Sequence, residues 1–402
     1  MYCEVCSFEL MGPVLDLGSH PLCDDLSATP NLNNGSKYHQ KIQLCEKCLT
    51  AHQLFQVPKE KLFKSSYHYR SGLTKDVLSG MESLVDSTLL SFTESRALKI
   101  LDIGCNDGSL LGFFKSRVDC ITIGVDPTDA IKEHKGTIDF PYQGYFDDEI
   151  AKKINEMVGK PDIITFTNVF AHIENLPALL ENLKVLLHED TIIVIENHYL
   201  GAILERSQFD TFYHEHPRTY SATSFTHIAS SLNLLINKIE FPSRYGGNIR
   251  VVLSGLQKKV DSGLAEILIQ EARFQTGFSA LQHFFGEWKD KSRAEIEVLT
   301  SSGPVFGKSL PGRAVMLISS LGLNSLEMPK VFEQPDSPKV GYFVPGTEIA
   351  IASDLDLIQN SGQVLIVWAW HIIDEVCSYL EQIGYSGDIW VPLPEFKKYK
   401  TL

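Results

Sequence analysis

Apolar positions along the chain change period three times, and each change marks a different kind of structure. From Lys75 onward, Val77, Leu78, Met81, Leu84, Val85 and Leu89 recur at three- and four-residue spacing, which predicts a helix over 75–96. Short apolar runs follow: a strand over Lys99–Gly104, a glycine-bounded turn, an apolar helix start over Ser109–Phe114, and a strand over Ile121–Val125 that ends on Asp126. Further strands are expected at Ile163–Phe166 and Thr191–Ile195, with a helix over Ala178–Leu187 between them. Strands alternating with helices predict a parallel sheet wrapped by helices. Residues 256 to 300 are helical in pattern, and a second alternation follows. Its expected elements are strands over Ala314–Ile318 and Gln363–Ala369, a helix over Ile372–Ile383 and a strand over Asp388–Val391. Before residue 65 the chain is short-period and turn-rich, with Pro21, Pro30 and Asn31–Gly35 marking loops. The expected architecture is α/β in three parts: a small N-terminal module over 1–65, an α/β domain over 66–255 and a second α/β domain over 256–402.

Composition narrows the class. The 402 residues suffice for two or three domains of about 100–200 residues. A net charge of −14 argues against a nucleic-acid binder, although a local basic pocket for one nucleotide diphosphate is compatible with it. No apolar run approaches the roughly 18–20 residues of a membrane span, and the N-terminus lacks the basic and apolar regions of a secretory signal. A cytoplasmic setting with reduced thiols is expected. Of the eight cysteines, Cys3, Cys6, Cys45 and Cys48 form two C-x-x-C pairs, a spacing that aims four sulfurs at one zinc ion. Such a site is closed and structural. Cys23, Cys105, Cys120 and Cys377 stand alone and are expected as small buried residues.

Candidate chemistry clusters in two places. Asp102-Ile-Gly104-Cys-Asn106-Asp-Gly108 follows a strand and opens a helix, so backbone can approach a ligand closely there. The spacing is not the G-x-G-x-x-G of dinucleotide binders, because Asn106 sits where the second glycine belongs. With Asp126 closing the next strand, placed to bond ribose hydroxyls, the pattern resembles the first motif of class I S-adenosylmethionine (SAM) methyltransferases. Asp147 is a candidate for the adenine side or a solvated acid at a helix start, and Asn168 closes a core strand. The second place is Phe209-Asp-Thr-Phe-Tyr213-His214-Glu215-His216-Pro-Arg218. If extended, Tyr213 and Glu215 face one way, and His214 and His216 the other. A metal arrangement would use His214 and His216 with His172; an acid/base arrangement would use one His tuned by Tyr213 and Glu215. His172 ends the Asn168-Val-Phe-Ala-His172 strand at the edge where α/β sheets bind ligands.

Together the cysteine pairs, Tyr67-His-Tyr69-Arg-Ser71-Gly, LDIGCNDGSLL, NVFAHIENL, FDTFYHEH and YGGNIR resemble the SAM-dependent sugar C-methyltransferases that act at C-3 of nucleotide-linked 4-keto-deoxysugars. The likeness extends to Lys339–Ile349 and Val367-Trp-Ala-Trp370-His371. It implies a central Rossmann-like SAM domain, a C-terminal domain for sugar-nucleotide binding, structural zinc, and a catalytic group of Tyr67 or Tyr69, His172, Tyr213, Glu215 and His216. His216 is then the base that takes the C-3 proton, with Glu215 setting its tautomer, while Tyr213 and His172 hydrogen-bond the ketone oxygen. Two departures stand out: Tyr245 replaces the family's histidine before Gly246-Gly247, and the 303–313 turn lacks the family's compact Tyr-Gly-Ala. Lys308 and Arg313 there are surface charges or diphosphate partners. The alternatives are methylation of a different oxygen or nitrogen nucleophile and a non-catalytic zinc-bearing interaction protein. The sequence sets no oligomeric state, and a monomer is allowed.

Overall fold

The computed structural model describes residues 1–30, 36–63, 70–73, 75–90, 96–255, 259–357 and 362–402. Tyr67 and Tyr69 lie outside the described residues. Among the described residues three sheets carry the fold. The first is a small antiparallel sheet of β1 (Leu15–His20), β2 (Tyr38–Leu44) and β3 (Ala51–Gln53). Its fourth strand, β9 (Arg218–Thr219), comes from far along the chain, so the module expected over 1–65 is completed by the segment that follows Tyr213–His216.

The second sheet holds β4 (Leu98–Ile103), β5 (Cys120–Asp126), β6 (Phe140–Gln143), β7 (Ile163–Thr167), β8 (Ile192–His198), β10 (Leu234–Glu240) and β11 (Asn248–Gly255). Its order is β6-β5-β4-β7-β8-β11-β10, parallel except where β11 runs against β8 and β10. The apolar runs Ile100-Leu101, Ile163-Ile164 and Ile192–Ile195 are buried on both faces, as strands covered by helices must be.

The third sheet is built from β12 (Phe306–Lys308), β13 (Lys330–Glu333), β14 (Ala350–Ser353), β15 (Val364–Val367), β16 (Asp388–Val391) and β17 (Lys397–Thr401). Its order, β14-β13-β12-β15-β16-β17, is parallel apart from β17. One expectation fails here. Ala314–Ile318 is not a strand but lies inside a helix, Gly312–Leu321. Every residue from Arg313 to Ile318 is buried, so this helix is apolar on all sides, and a short run of that kind carries no period to distinguish it from a strand. Gly322, at φ 62°, ends it in the left-handed conformation. Cys120 also departs from expectation, being partly exposed at the start of β5, whereas Cys23, Cys105 and Cys377 are buried.

A single apolar core joins the three parts. Leu15, Leu17, Ile42 and Leu44 of the first sheet meet Phe209 and Phe212, Phe278 and Leu281 of the long helix Phe274–Thr300, and Ala314–Ile318. Burying each large apolar side chain of this kind contributes about 1.5–3 kcal/mol, so the segment before Tyr213 is anchored to both ends of the chain.

Inside the helix Lys75–Leu89, Gly80 opens a notch for a buried guanidinium. A Cβ there would lie 1.8 Å from Arg244 Nη1 and 1.9 Å from Arg244 Cζ. Exposed helix-interior Gly→Ala changes stabilise by about 1 kcal/mol. Gly80→Ala is expected to lower the melting temperature instead, because the methyl group must displace a salt-bridged arginine; a thermal melt checks the sign.

Candidate active site

Two chelate pairs converge at the N-terminus. The sulfurs of Cys3, Cys6, Cys45 and Cys48 all lie within 4.8 Å of one another, with Cys3–Cys48 at 3.4 Å and Cys6–Cys45 at 3.5 Å. A tetrahedron with Zn–S bonds of about 2.3 Å has edges of about 3.8 Å, so the donor set fits zinc. It is the only such cluster among the described residues. His52 Nε2 sits 3.2 Å from Cys3 Sγ and Thr50 Oγ1 3.0 Å from Cys48 Sγ, which supports the sulfurs from behind.

A cavity of about 760 Å³ opens where the carboxyl ends of the two parallel sheets face each other. On the β4 side, the loop bends through Gly104 (φ 77°), Asn106 (φ 49°) and Gly108 (φ 75°) into the helix Ser109–Arg117. A Cβ on Gly104 would come within 2.4 Å of Val169, so glycine is required on packing grounds as well. Asp126 is buried; its carboxylate accepts from Asn106 N (2.9 Å), Thr128 N (2.8 Å) and Thr128 Oγ1 (2.6 Å), and burial raises its pKa. A carboxylate offers about four acceptor sites, so it keeps capacity for a ribose hydroxyl. Asn106, Asp126, Asp147 and Asn168 line the cavity with Gly104. Asp147 also caps the helix Asp148–Met157, accepting from Ile150 N at 2.9 Å. Asp102 lies beneath the loop instead, bonded to Thr165 Oγ1 at 2.7 Å, with burial pushing its pKa up to about 7. Ser71 donates to Asn106 and Asp107, which docks the end of the Tyr67–Gly72 stretch on this loop.

The Tyr213–His216 stretch is not extended. It is a tight turn closed by His216 N to Tyr213 O at 2.9 Å, and this overturns the expected alternation. Tyr213 and His216 now share a side, with ring centroids 4.2 Å apart. His214 points away, bonded to Tyr38 O at 3.2 Å, so it cannot join His216 and His172 around a metal. His216 Nδ1 lies 3.0 Å from Thr211 O, and His172 Nδ1 2.6 Å from Glu215 O. A carbonyl only accepts, so each ring carries a proton on Nδ1; His216 then offers Nε2 as a lone pair, while His172 also hydrogen-bonds the backbone of Asn168. The tautomer of His216 is therefore set by Thr211, where Glu215 had been expected. Desolvation, reinforced by neighbouring imidazoles, holds His216 well below the ordinary histidine pKa; Tyr213 is raised by burial and by the Glu215 charge.

Two residues that pattern alone did not mark, His198 and His371, complete the wall, and a third, Asp210, lies buried behind it. His198 ends β8 with its ring 5.2 Å from His216 and 5.6 Å from Tyr245, and His371 follows β15 at 6.2 Å from Tyr245. Asp210 accepts from Arg313 Nη2 (2.9 Å) and Trp370 Nε1 (2.9 Å). Arg313 and Lys308 are thus not surface charges: both are buried, and Lys308 Nζ bonds both oxygens of Asp354 at 3.0 and 2.8 Å. His198 sits at a carboxyl strand edge like His172, three residues beyond the end of the strand expected over Thr191–Ile195.

A glycine loop after the first strand of a 3-2-1-4-5-7-6 sheet, with an acid closing the second strand, defines a SAM-dependent methyltransferase. Three family models tile the chain: a putative zinc binding domain over 3–63, a methyltransferase domain over 75–237 and a C-methyltransferase C-terminal domain over 243–394. The chain belongs to the C-methyltransferases built from these three parts. It is similar to the C-methyltransferase NovU of Streptomyces niveus, 24% identical over 408 residues that span 98% of this chain and 95% of that one. Solved structures with a matching portion include magnesium protoporphyrin IX methyltransferase from Synechocystis PCC 6803 (16% identity, TM-score 0.34, 45% of this chain and 86% of that one). The PH0226 protein from Pyrococcus horikoshii OT3 is another (16%, TM-score 0.37, 49% and 98%). Among the described residues no helix is long and apolar enough to cross a membrane.

Buried histidines make stability depend on acid. Desolvation lowers His172 and His214 to about 4 and His371 to about 3, against about 6.5 unfolded. Between pH 4 and 6.5 the unfolded chain binds protons at these three sites that the folded chain does not, and only Asp102 among the groups with stated values runs the other way. Stability is expected to fall as pH drops below about 6.5; melting temperatures at pH 7.5 and 5 check it.

Proposed function

We propose that the chain transfers a methyl group from SAM to C-3 of a nucleotide-linked 4-keto-deoxysugar through an enolate. The observation that carries this reading is the neutral His216: its Nδ1–H is fixed on Thr211 O, which leaves Nε2 as the base on a ring that lines the cavity beside the glycine loop. A proton α to a ketone is weakly acidic, so its removal needs such a base together with a donor for the developing oxyanion. Tyr213, kept as a phenol by burial, is that donor. His172 supports differently from the expectation, because its ring is held by the backbone of Glu215 and Asn168.

Gly104, Asn106, Asp126 and Asn168 are the residues placed to hold SAM, and bound SAM supplies an electrophilic methyl group and a neutral thioether leaving group. The chain's own part is to exclude water around the histidines, to orient the sugar between Tyr213 and His216, and to hold the abstracted proton on His216 Nε2. For the substrate's phosphates, Lys308 and Arg313 are neutralised by Asp354 and Asp210. Lys339, which donates to Leu310 O at 2.7 Å and has no carboxylate partner among the described residues, is the cavity-lining cation assigned to the diphosphate.

His216→Asn is expected to lower methyl transfer at least about 100-fold while SAM affinity stays unchanged by calorimetry. Incubation with SAM and a panel of nucleotide-linked 4-ketosugars in heavy water tests the whole reading. Methyl incorporation at C-3, with deuterium appearing at C-3 of the sugar that has not been methylated, is expected; methylation at oxygen or nitrogen without C-3 exchange overturns it.

A further inference from the structure

Strand β3 has the zinc site on one side and the proposed catalytic turn on the other. Towards the metal, Thr50, just before the strand, reaches Cys48 Sγ and His52 reaches Cys3 Sγ. Towards the cavity, the buried side chain of Gln53 donates from Nε2 to two carbonyls, Tyr213 O at 2.6 Å and His216 O at 2.9 Å. Both partners only accept, so the amide's NH₂ end must face them. The Gln53 backbone N–H donates to Pro217 O at 2.9 Å, and Ala51 and His52 pair with Thr219 and Arg218. One side chain and one backbone ladder therefore grip both ends of the Tyr213–His216 turn. The zinc loops are fastened to the continuation of that same segment. Arg218 pairs with Glu4, which lies between Cys3 and Cys6, and Ser221 Oγ and Ser224 Oγ donate to Cys48 O at 3.3 and 3.2 Å.

We propose that the zinc site, through β3, sets the position of the turn bearing Tyr213 and His216, with Gln53 as the positioning residue. The turn has few alternatives for its own support. Its tight closure engages the His216 N–H and the Tyr213 carbonyl, whereas the carbonyl of buried His216 is held by Gln53, and an unsatisfied buried acceptor there costs about 1–3 kcal/mol. A displacement of about 1 Å at a reacting group is enough to lower a rate about 100-fold. Zinc thereby acts on turnover without touching substrate, a role different from holding the N-terminal module folded.

The test uses the full zinc-loaded chain with Gln53→Met, which keeps the length of the side chain and removes both donors. Amide hydrogen exchange over residues 209–219 is expected to quicken at least about ten-fold, with zinc content by mass spectrometry and SAM affinity by calorimetry unchanged. Stripping zinc from the unaltered chain with a chelator is expected to quicken exchange in the same segment. Should Gln53→Met fail to fold, Gln53→Glu, which turns carboxylate oxygens toward the two carbonyls, gives the same readout. Unchanged exchange over 209–219, or faster exchange accompanied by zinc loss from the variant, overturns the proposal. The activity arm rests on the sugar-methylation reading: kcat is expected to fall about 100-fold with KM for SAM unchanged. If no 4-ketosugar is turned over by the unaltered protein, that reading fails while the exchange result still decides the role of Gln53.

Discussion

Asp210 is a carboxylate with no access to solvent, and such a group persists in a protein interior only when its charge is met on every side. Arg313 from the helix Gly312–Leu321 meets one oxygen and Trp370 from the end of β15 meets the other. The Arg313 guanidinium also reaches Thr211 Oγ1 at 2.7 Å and lies 5.1 Å over the Trp370 ring. Thr211 in turn supplies the carbonyl that fixes His216. Removing one member of such a buried pair costs about 3–5 kcal/mol, so the C-terminal domain is an obligatory wall of the site. Its arginine orders the segment that carries His216, the proposed base.

The cavity is lined by imidazoles that repel protons from one another. His172, His198, His216 and His371 are all driven toward the neutral form, mainly by desolvation and further by the positive charge of Arg313 at His198, His216 and His371. A neutral imidazole can accept a proton, whereas a charged one cannot, so the arginine that orders the segment also keeps His216 in the form the proposed mechanism needs. Glu196 plays the complementary part below, where it is buried against Arg250 Nε at 2.7 Å, Arg244 Nη1 at 3.1 Å and Asn248 Nδ2 at 3.0 Å. This explains the Arg-Tyr-Gly-Gly-Asn-Ile-Arg sequence as a clamp around one carboxylate. Tyr245 is held in its middle in a left-handed conformation (φ 53°) beside His198 and His371.

Legibility followed the physics of each element. Strands β4, β5, β7 and β8 of the second sheet are visible because their apolar runs are buried, whereas β6, β10 and β11 are not marked by pattern, and the zinc pairs are visible because metal chelation fixes sequence spacing. The loop over Gly104–Gly108 was visible because backbone geometry demands glycine there. Three kinds of feature were not. The helix Gly312–Leu321 is apolar all round and so lost its period. The Tyr213–His216 turn depends on Gln53 and Thr211, partners that local pattern does not indicate. The pairing of Lys308 with Asp354 and Arg313 with Asp210 joins residues 46 and 103 positions apart, so each charge looks solvated until the fold closes.

The two parallel sheets meet the cavity in different ways. Each places its central strand, β4 or β12, with the carboxyl end toward the cavity, at the point where strand order reverses and α/β sheets bind ligands. After β4 the backbone is bare glycine at two left-handed positions, and a helix N-terminus follows. After β12 the equivalent path runs Lys308-Ser309-Leu310-Pro311, with Ser309 itself at φ 63°. The amide of Leu310, which would otherwise be free for a ligand, donates to Glu333 at 2.7 Å. That contact also engages the acid at the end of β13, the position at which a dinucleotide-binding sheet holds ribose. The second crevice therefore lacks the paired left-handed glycines of the β4 loop, and its acid at the strand end is turned to the Leu310 amide. It contributes side chains to the shared cavity, while the backbone cradle suited to a nucleoside ligand lies after β4.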